Sequence, residues 1–120
     1  MANILIVDDA LIMQNILATM LEKAGHKVVG KAVNGLQALE MYNTLKPDLV
    51  TMDIQMQGGD GMSVLEKIID LDPLAKVIMV SAVGHEVKEN EARSKGAVGY
   101  VTKPFQAAVL LEQTQKGLAD

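Results

Sequence analysis

Cysteine is absent from this 120-residue sequence, which excludes disulfides, thiolate zinc sites and a thiol nucleophile. Aromatic residues are few, namely Tyr42, Tyr100 and Phe105, so the core has to be built from aliphatic side chains and methionine. No apolar run approaches the roughly 18–20 residues that span a bilayer, and the N-terminus lacks a signal-peptide pattern. The net charge of −4 offers no polybasic patch for nucleic acid or an anionic membrane. A soluble cytoplasmic protein that binds neither is expected.

Hydrophobic residues, in contrast, make up 49% of a chain whose length is typical of one domain. Apolar runs of strand length alternate with stretches of helical period. The predicted strands are residues 3–7, 27–33, 49–52, 76–80 and 98–102. The predicted helices are residues 12–24, 36–45, 62–69 and 85–95, with a fifth after Pro104.

Strict alternation of strand and helix, with strands apolar on both faces, predicts an α/β fold in a single domain, residues 1–120. Its parallel sheet should be covered by helices on both sides, and its ligands should bind at the carboxyl ends of the strands. Strand two is followed by Val33 and Asn34, which suggests an edge strand away from the site.

Charged and polar residues follow the other four strands. They are Asp8 and Asp9 after strand one, Asp53 after strand three, Ser81 at the end of strand four and Lys103 after strand five. Taken singly, each has an ordinary explanation: a solvated turn for the aspartate pair, a helix cap for Asp53, a turn for Ser81 and a surface lysine for Lys103. Together they converge on one edge of the predicted sheet.

Three close carboxylates need a cation, and hard oxygen ligands without nearby histidine or cysteine favour Mg²⁺. A metal beside a lysine and a hydroxyl suggests a phosphoryl group as the ligand. Asp53 leaves the central strand, so it is predicted to be the nucleophile that forms an aspartyl-phosphate, with Lys103 and Ser81 contacting the phosphoryl oxygens.

The motifs "VDD" after strand one, "DLVTMDI" around Asp53, "MVSA" at Ser81 and "TKPF" at Lys103 resemble a response-regulator receiver domain. The resemblance covers essentially the full length, and "DLVTMDI" and "KPFQAA" are most similar to single-domain regulators of chemotaxis. It implies a doubly wound (βα)5 flavodoxin-like sandwich with strand order 2-1-3-4-5, without an output domain.

The resemblance also implies roles. Asp53 would accept a phosphoryl group from a phosphohistidine on a sensor histidine kinase. Asp9 would bind Mg²⁺ directly, Asp8 largely through water, and the backbone carbonyl of Gln55 would complete the protein ligands. Lys103 would pair with Asp53 and then with the phosphoryl oxygens.

Ser81 and Tyr100 are implied to form the switch, which changes the helix 4–strand 5–helix 5 surface of a monomer for a downstream protein such as the flagellar motor switch. The peptide before Pro104 resembles one that is cis in the family. No enzyme activity is expected beyond self-phosphorylation from a donor and autodephosphorylation, whose rate depends partly on Gln55 and Val83 in the family.

Two features depart from the family pattern. Gln57 stands where relatives usually carry proline, so the loop after Asp53 should be looser. Helix four, "HEVKENEARSK", offers only Val87 and Ala92 as a core face, and the apolar stripe of helix five should end at residues 109–111. Helix four is therefore predicted to be weakly docked and mobile, or covered by a partner.

Three alternatives stay open. A phosphorelay intermediate would use the same site. A degenerate receiver would bind partners without phosphorylation, which the complete set of polar residues disfavours. A phosphatase of the haloacid-dehalogenase type would need a DxDxT pattern after strand one, where this chain has "DDALI".

Overall fold

The computed structural model describes residues 1–56, 59–82 and 86–119. Its strands are β1 Asn3–Val7, β2 Lys27–Ala32, β3 Leu49–Met52, β4 Gln55–Met56, β5 Gly59–Asp60, β6 Val77–Ser81 and β7 Gly99–Thr102. Its helices are α1 Leu11–Lys23, α2 Gly35–Leu45, α3 Gly61–Leu71, α4 Glu86–Ser94 and α5 Ala107–Ala119. None of these helices has both the length and the apolar character that a membrane crossing requires.

The five longer strands form one parallel sheet in the order β2-β1-β3-β6-β7. Counted along the chain, these five strands have the predicted order 2-1-3-4-5, and β2 lies at an edge as expected. The (βα)5 flavodoxin-like fold is therefore confirmed. β1 and β3 lie in the interior of the sheet, so the residues that follow them are held by rigid neighbours on both sides.

Two apolar layers enclose the sheet, and alternate residues of each strand point into one or the other. In β1, Leu5 and Val7 face the layer built with α2, α3 and Ala92 of α4. Ile4 and Ile6 face the layer built with α1 and α5. The run "ILIV" is consequently buried on both faces, as the lack of alternation in the sequence predicted.

The first helix is confirmed, but only part of its apolar stripe is buried. Leu17 and Leu21 are buried, whereas Ile12 is 76% exposed and Ile16 is 40% exposed. The sheet covers only one face of α1, and the apolar stripe of the sequence is wider than that face. With α5, the uncovered part of the stripe lines an apolar groove of about 730 Å³.

The buried face of the fifth helix is longer than its apolar stripe suggested. Beyond Leu110, its inner face continues through Thr114 and Gly117, which are both buried. The Thr114 hydroxyl donates to the carbonyl oxygen of Leu110 at 2.8 Å, so its polar group is satisfied within the helix. The buried face of α5 therefore continues beyond residues 109–111, where the apolar stripe was predicted to end.

The fourth helix buries one side chain completely, that of Ala92, while Val87 is exposed. Ion pairs join Arg93 to Glu89 within the helix at 3.2 Å and Lys95 to Glu66 of α3 at 3.2 Å. Surface ion pairs contribute only about 0.2–1 kcal/mol each. The small buried area of α4 supports the prediction that it is weakly docked.

Sequence periodicity did not indicate the hairpin of β4 and β5, because two-residue strands are too short to show alternation. Strand limits also shift by one residue: β2 ends at Ala32, β6 runs from Val77 to Ser81 and β7 begins at Gly99. The predictions for Gln57 and Val83, and for His85 as the start of helix four, concern positions outside the described residues.

Amide hydrogen exchange tests the docking of α4. Because Ala92 is the one residue that α4 buries, amides of residues 88–94 should exchange faster than the amides of residues 15–23 in α1, measured by mass spectrometry or NMR at neutral pH. Equal protection of the amides in the two helices would contradict this prediction.

Candidate functional site

Three carboxylates meet at the carboxyl edge of the sheet. The parallel register pairs Val7 with Met52, so the residues that follow β1 and β3 become neighbours. Asp8, Asp9 and Asp53 each offer a carboxylate oxygen, and these oxygens lie within 4.8 Å of one another. The structure therefore places together the acidic residues that the sequence predicted to form a site.

Lys103, after β7, completes the cluster. Its Nζ lies 3.0 Å from Oδ2 of Asp8 and 3.4 Å from Oδ2 of Asp53. Asp8 is 1% exposed and Asp53 is 7% exposed, whereas Asp9 is open to solvent. One ammonium thus faces three carboxylates, and the excess of negative charge makes the cluster an acidic pocket that could bind a metal ion.

The backbone fixes both buried aspartates. The amide of Asp8 donates to the carbonyl of Ala32 at 3.0 Å, and its Oδ1 accepts from the amide of Ala10 at 2.9 Å. The backbone amide of Asp53 donates to the carbonyl of Val7 at 3.0 Å, and Oδ1 of Asp53 accepts from the backbone amide of Gln55 at 3.2 Å. Each carboxylate is therefore oriented before any ligand arrives.

Burial raises the pKa of the Asp53 carboxyl above its usual range. The nearby Asp8 carboxylate acts in the same direction, while the Lys103 ammonium and the Gln55 amide lower the pKa. The ionised form of Asp53 is thus destabilised in the metal-free protein. A cation at the cluster would remove part of that cost.

Ser81 and Tyr100 are joined to each other on the neighbouring strands. Ser81 is buried at the end of β6, and its carbonyl accepts from the Lys103 amide at 2.7 Å. Tyr100 is buried on β7 and hydrogen-bonds with Ser81. The two predicted switch residues are thus in contact, and the backbone of one is bonded to Lys103.

The Tyr100 phenol also faces the charges of α4. Burial raises the pKa of Tyr100, and the negative charge of Glu89 raises it further. The hydrogen bond with Ser81 and the positive charge of Lys88 act in the opposite direction. Tyr100 therefore lies between the edge of the sheet and α4, the helix with the fewest buried residues.

The chain after Asp53 comes back into contact with its own backbone at Gly61, the first residue of α3. The Gly61 amide donates to the Ile54 carbonyl at 2.7 Å. A Cβ atom on Gly61 would collide with the carbonyl oxygen of Asp53 and lie 2.7 Å from Cα of Ile54. Only glycine permits this approach to the backbone that carries Asp53.

Asp60 was not identified from the sequence, yet its side chain caps α3. Its Oδ1 accepts from the Met62 amide at 3.0 Å, which anchors the start of the helix behind the site. The available signal was an aspartate just before an apolar helical run.

Two further predictions concern the backbone of the site. Gln55 contacts Asp53 through its backbone amide, and the metal-binding role of its backbone carbonyl stays a prediction. The Lys103–Pro104 peptide is cis.

Comparison with known proteins gives a consistent result. The sequence profile of the response regulator receiver domain matches residues 4–115. The chain is 43% identical to the chemotaxis protein CheY of Thermotoga maritima, covering 94% of each protein. It is 45% identical to CheY of Bacillus subtilis over 96% of each.

Solved structures are similar in fold. A chain in the CheX–CheY–BeF3–Mg²⁺ complex of Borrelia burgdorferi has a TM-score of 0.92 at 33% identity, with 94% of this chain and 86% of that chain covered. The response regulator domain of Thermotoga maritima CheB has a TM-score of 0.91 at 35% identity, with coverage of 98% and 96%.

Substitution of Gly61 tests the close approach behind Asp53. Gly61→Ala should lower the free energy of unfolding by about 1–3 kcal/mol, because backbone has to move to admit the methyl group. The measurement is urea denaturation. Gly30→Ala is the matched control, since its Cβ would meet the ends of flexible side chains, with Leu45 Cδ1 nearest at 2.9 Å. Equal costs for the two variants would contradict the assignment.

Neutralisation of Asp53 tests the electrostatic account. Because the pKa of Asp53 is raised in the folded protein, ionisation of Asp53 lowers the free energy of unfolding at pH values above the ordinary pKa of 3.8. This loss of stability disappears as the pH falls through the raised pKa toward 3.8. Asp53→Asn should therefore be more stable than the parent at pH 7 without metal, by about 0.5–2 kcal/mol.

The gain in the free energy of unfolding should vanish in acid. It should be absent in Asp70→Asn, which alters an exposed aspartate. Urea denaturation across a pH series measures it. A variant that is less stable than the parent at pH 7 in metal-free buffer would show that the Lys103 pairing outweighs burial.

Proposed function

Because this chain belongs to the response-regulator receiver family, we propose that it is a phosphorylation-dependent switch in chemotaxis signalling. Asp53 accepts a phosphoryl group from the phosphohistidine of a sensor histidine kinase. The observation that supports this most is the placement of Asp53 beside Asp8, Asp9 and Lys103 at the ends of three parallel strands. In this proposal Asp53 is the nucleophile, the acidic pocket binds the metal and Lys103 is the cation for the phosphoryl oxygens.

The acidic pocket fits Mg²⁺, which favours carboxylate oxygens and retains several waters, so that few protein ligands suffice. Asp9, which is open to solvent, would bind the ion directly, and Asp8, which is paired with Lys103, would bind it largely through water. Asp53 and the backbone carbonyl of Gln55 would complete the set of protein ligands. When bound, the ion neutralises charge that develops on the phosphoryl oxygens.

Asp53 attacks the phosphorus, so that a carboxylate O–P bond forms as the P–N bond to the donor imidazole breaks. The bonding electron pair returns to the imidazole nitrogen, which takes up a proton. The buried carboxylate is held in place by the Gln55 amide, which limits the reorganisation needed for attack. Lys103 then pairs with the phosphoryl oxygens in place of the carboxylate.

The output surface is formed by α4, β7 and α5. The Ser81 hydroxyl turns toward the phosphoryl group, and this changes the hydrogen bond that Ser81 shares with Tyr100. The Tyr100 phenol interacts electrostatically with Glu89 and Lys88 of α4. Because α4 buries little of its surface, the helix can shift in response. The switch therefore alters α4 at small energetic cost.

The partners follow from the relatives. The relatives from Thermotoga maritima and Bacillus subtilis are chemotaxis proteins, and the Borrelia burgdorferi structure is a complex of CheY with CheX. For this chain we propose a downstream protein that binds the α4–β7–α5 surface, in the manner of a flagellar motor switch component. The chain acts as a phosphoacceptor and does not turn over external phosphate esters.

Intact-mass spectrometry after incubation with acetyl phosphate and Mg²⁺ tests the chemistry. One phosphoryl group should add to the protein, and the adduct should require Mg²⁺. Asp53→Ala should abolish the adduct, whereas Asp70→Ala, which removes an exposed aspartate, should leave it unchanged.

Two results would contradict the proposal. No adduct on folded protein that still binds Mg²⁺ would indicate a degenerate receiver that binds its partner without phosphorylation. Steady release of phosphate from added esters, faster than decay of the adduct, would indicate a phosphatase instead.

A further inference from the structure

Gln14 is a polar residue on the buried face of α1. It is 3% exposed and lies among Leu17, Ala18 and Leu21, which are aliphatic. A buried amide is costly unless it is hydrogen-bonded. Its Nε2 donates to the carbonyl oxygen of Asp8 at 2.7 Å and to that of Ala32 at 3.1 Å.

The bond to Asp8 fixes a single peptide group between two predicted metal ligands. The carbonyl oxygen that Gln14 holds belongs to the peptide that links Asp8 to Asp9. The orientation of this peptide plane sets the direction in which both side chains leave the backbone. A rotation of that plane would therefore separate the two carboxylates.

The bond to Ala32 ties the same turn to the edge strand. The Ala32 carbonyl accepts from the Asp8 amide at 3.0 Å as well as from Gln14. The two bonds of Gln14 thus join the end of β1, the end of β2 and the first turn of α1. The Ala10 amide completes the arrangement through its bond to the Asp8 carboxylate at 2.9 Å.

We propose that Gln14 is a positioning residue for the metal site, which holds the Asp8–Asp9 peptide so that both carboxylates face one cation. The inference rests on the proposed function, since it takes the acidic cluster to be a Mg²⁺ site. It adds a residue outside the ligand set that controls the affinity for the ion. Groups that orient metal ligands in this way typically change metal affinity by about 10–100-fold when they are removed.

The test is the dissociation constant of Mg²⁺, measured by NMR titration of backbone amides without a phosphodonor. Gln14→Met keeps the length of the side chain and removes both donors, so Mg²⁺ should bind about 10-fold more weakly. Gln14→Glu keeps the shape but places a carboxylate against two carbonyl oxygens, and it should weaken binding at least as much.

A kinetic measurement separates positioning from damage to the fold. In Gln14→Met, phosphorylation by acetyl phosphate should need more Mg²⁺, while the rate at saturating Mg²⁺ should stay close to that of the parent. Ala18→Gly is the matched control, because it weakens α1 at a buried position of the same face without removing a hydrogen bond to Asp8. Its Mg²⁺ affinity should equal that of the parent.

Parent-like Mg²⁺ affinity in both Gln14 variants would overturn the inference and leave the proposed function intact. Equal weakening in Ala18→Gly would also overturn it, because affinity would then follow helix stability. Absence of Mg²⁺ binding to the parent protein would instead contradict the proposed function, and the inference with it. If Gln14→Met does not fold, Gln14→Glu and the Ala18→Gly control decide the outcome.

Discussion

The ammonium of Lys103 lies between the carboxylates of Asp8 and Asp53, and the site depends on this pairing at the edge of the sheet. Two buried carboxylates next to each other would repel strongly in a medium of low polarity. Lys103 offsets part of that repulsion, but the exposed Asp9 adds a third negative charge. The residual negative charge makes this an acidic pocket that could bind a divalent cation.

The sheet keeps these charges in place. β1 and β3 are interior strands with apolar layers on both faces, so neither strand end can move without disturbing the core. Changes in charge at Asp53 are more easily accommodated toward β7 and α4. There Ser81 and Tyr100 form a hydrogen-bonded pair, and α4 buries little more than Ala92. The proposed switch thus combines a rigidly held Asp53 with a lightly packed helix.

The sequence was informative where a single physical signal dominates. Runs such as residues 4–7 are apolar without alternation, so their burial on both faces and the convergence of Asp8 and Asp53 followed from the rules of parallel sheets. It was less informative for helix faces. Ile12 and Ile16 extend an apolar stripe beyond what the sheet covers, while Gln14 is polar yet buried, because its amide finds two carbonyl groups that only the folded chain brings together. Periodicity cannot reveal such partners.

The most direct test of the central claim is to locate the bound cation. In ¹⁵N-labelled protein, substoichiometric Mn²⁺ should broaden the amide signals of residues 8–10 and 53–55 first, and excess Mg²⁺ should reverse the effect. Asp9→Asn should weaken this broadening, since it removes the carboxylate that is most open to solvent. Broadening that is spread over exposed acids such as Asp70 and Glu86, or that is unchanged in Asp9→Asn, would contradict a metal site at the ends of β1 and β3.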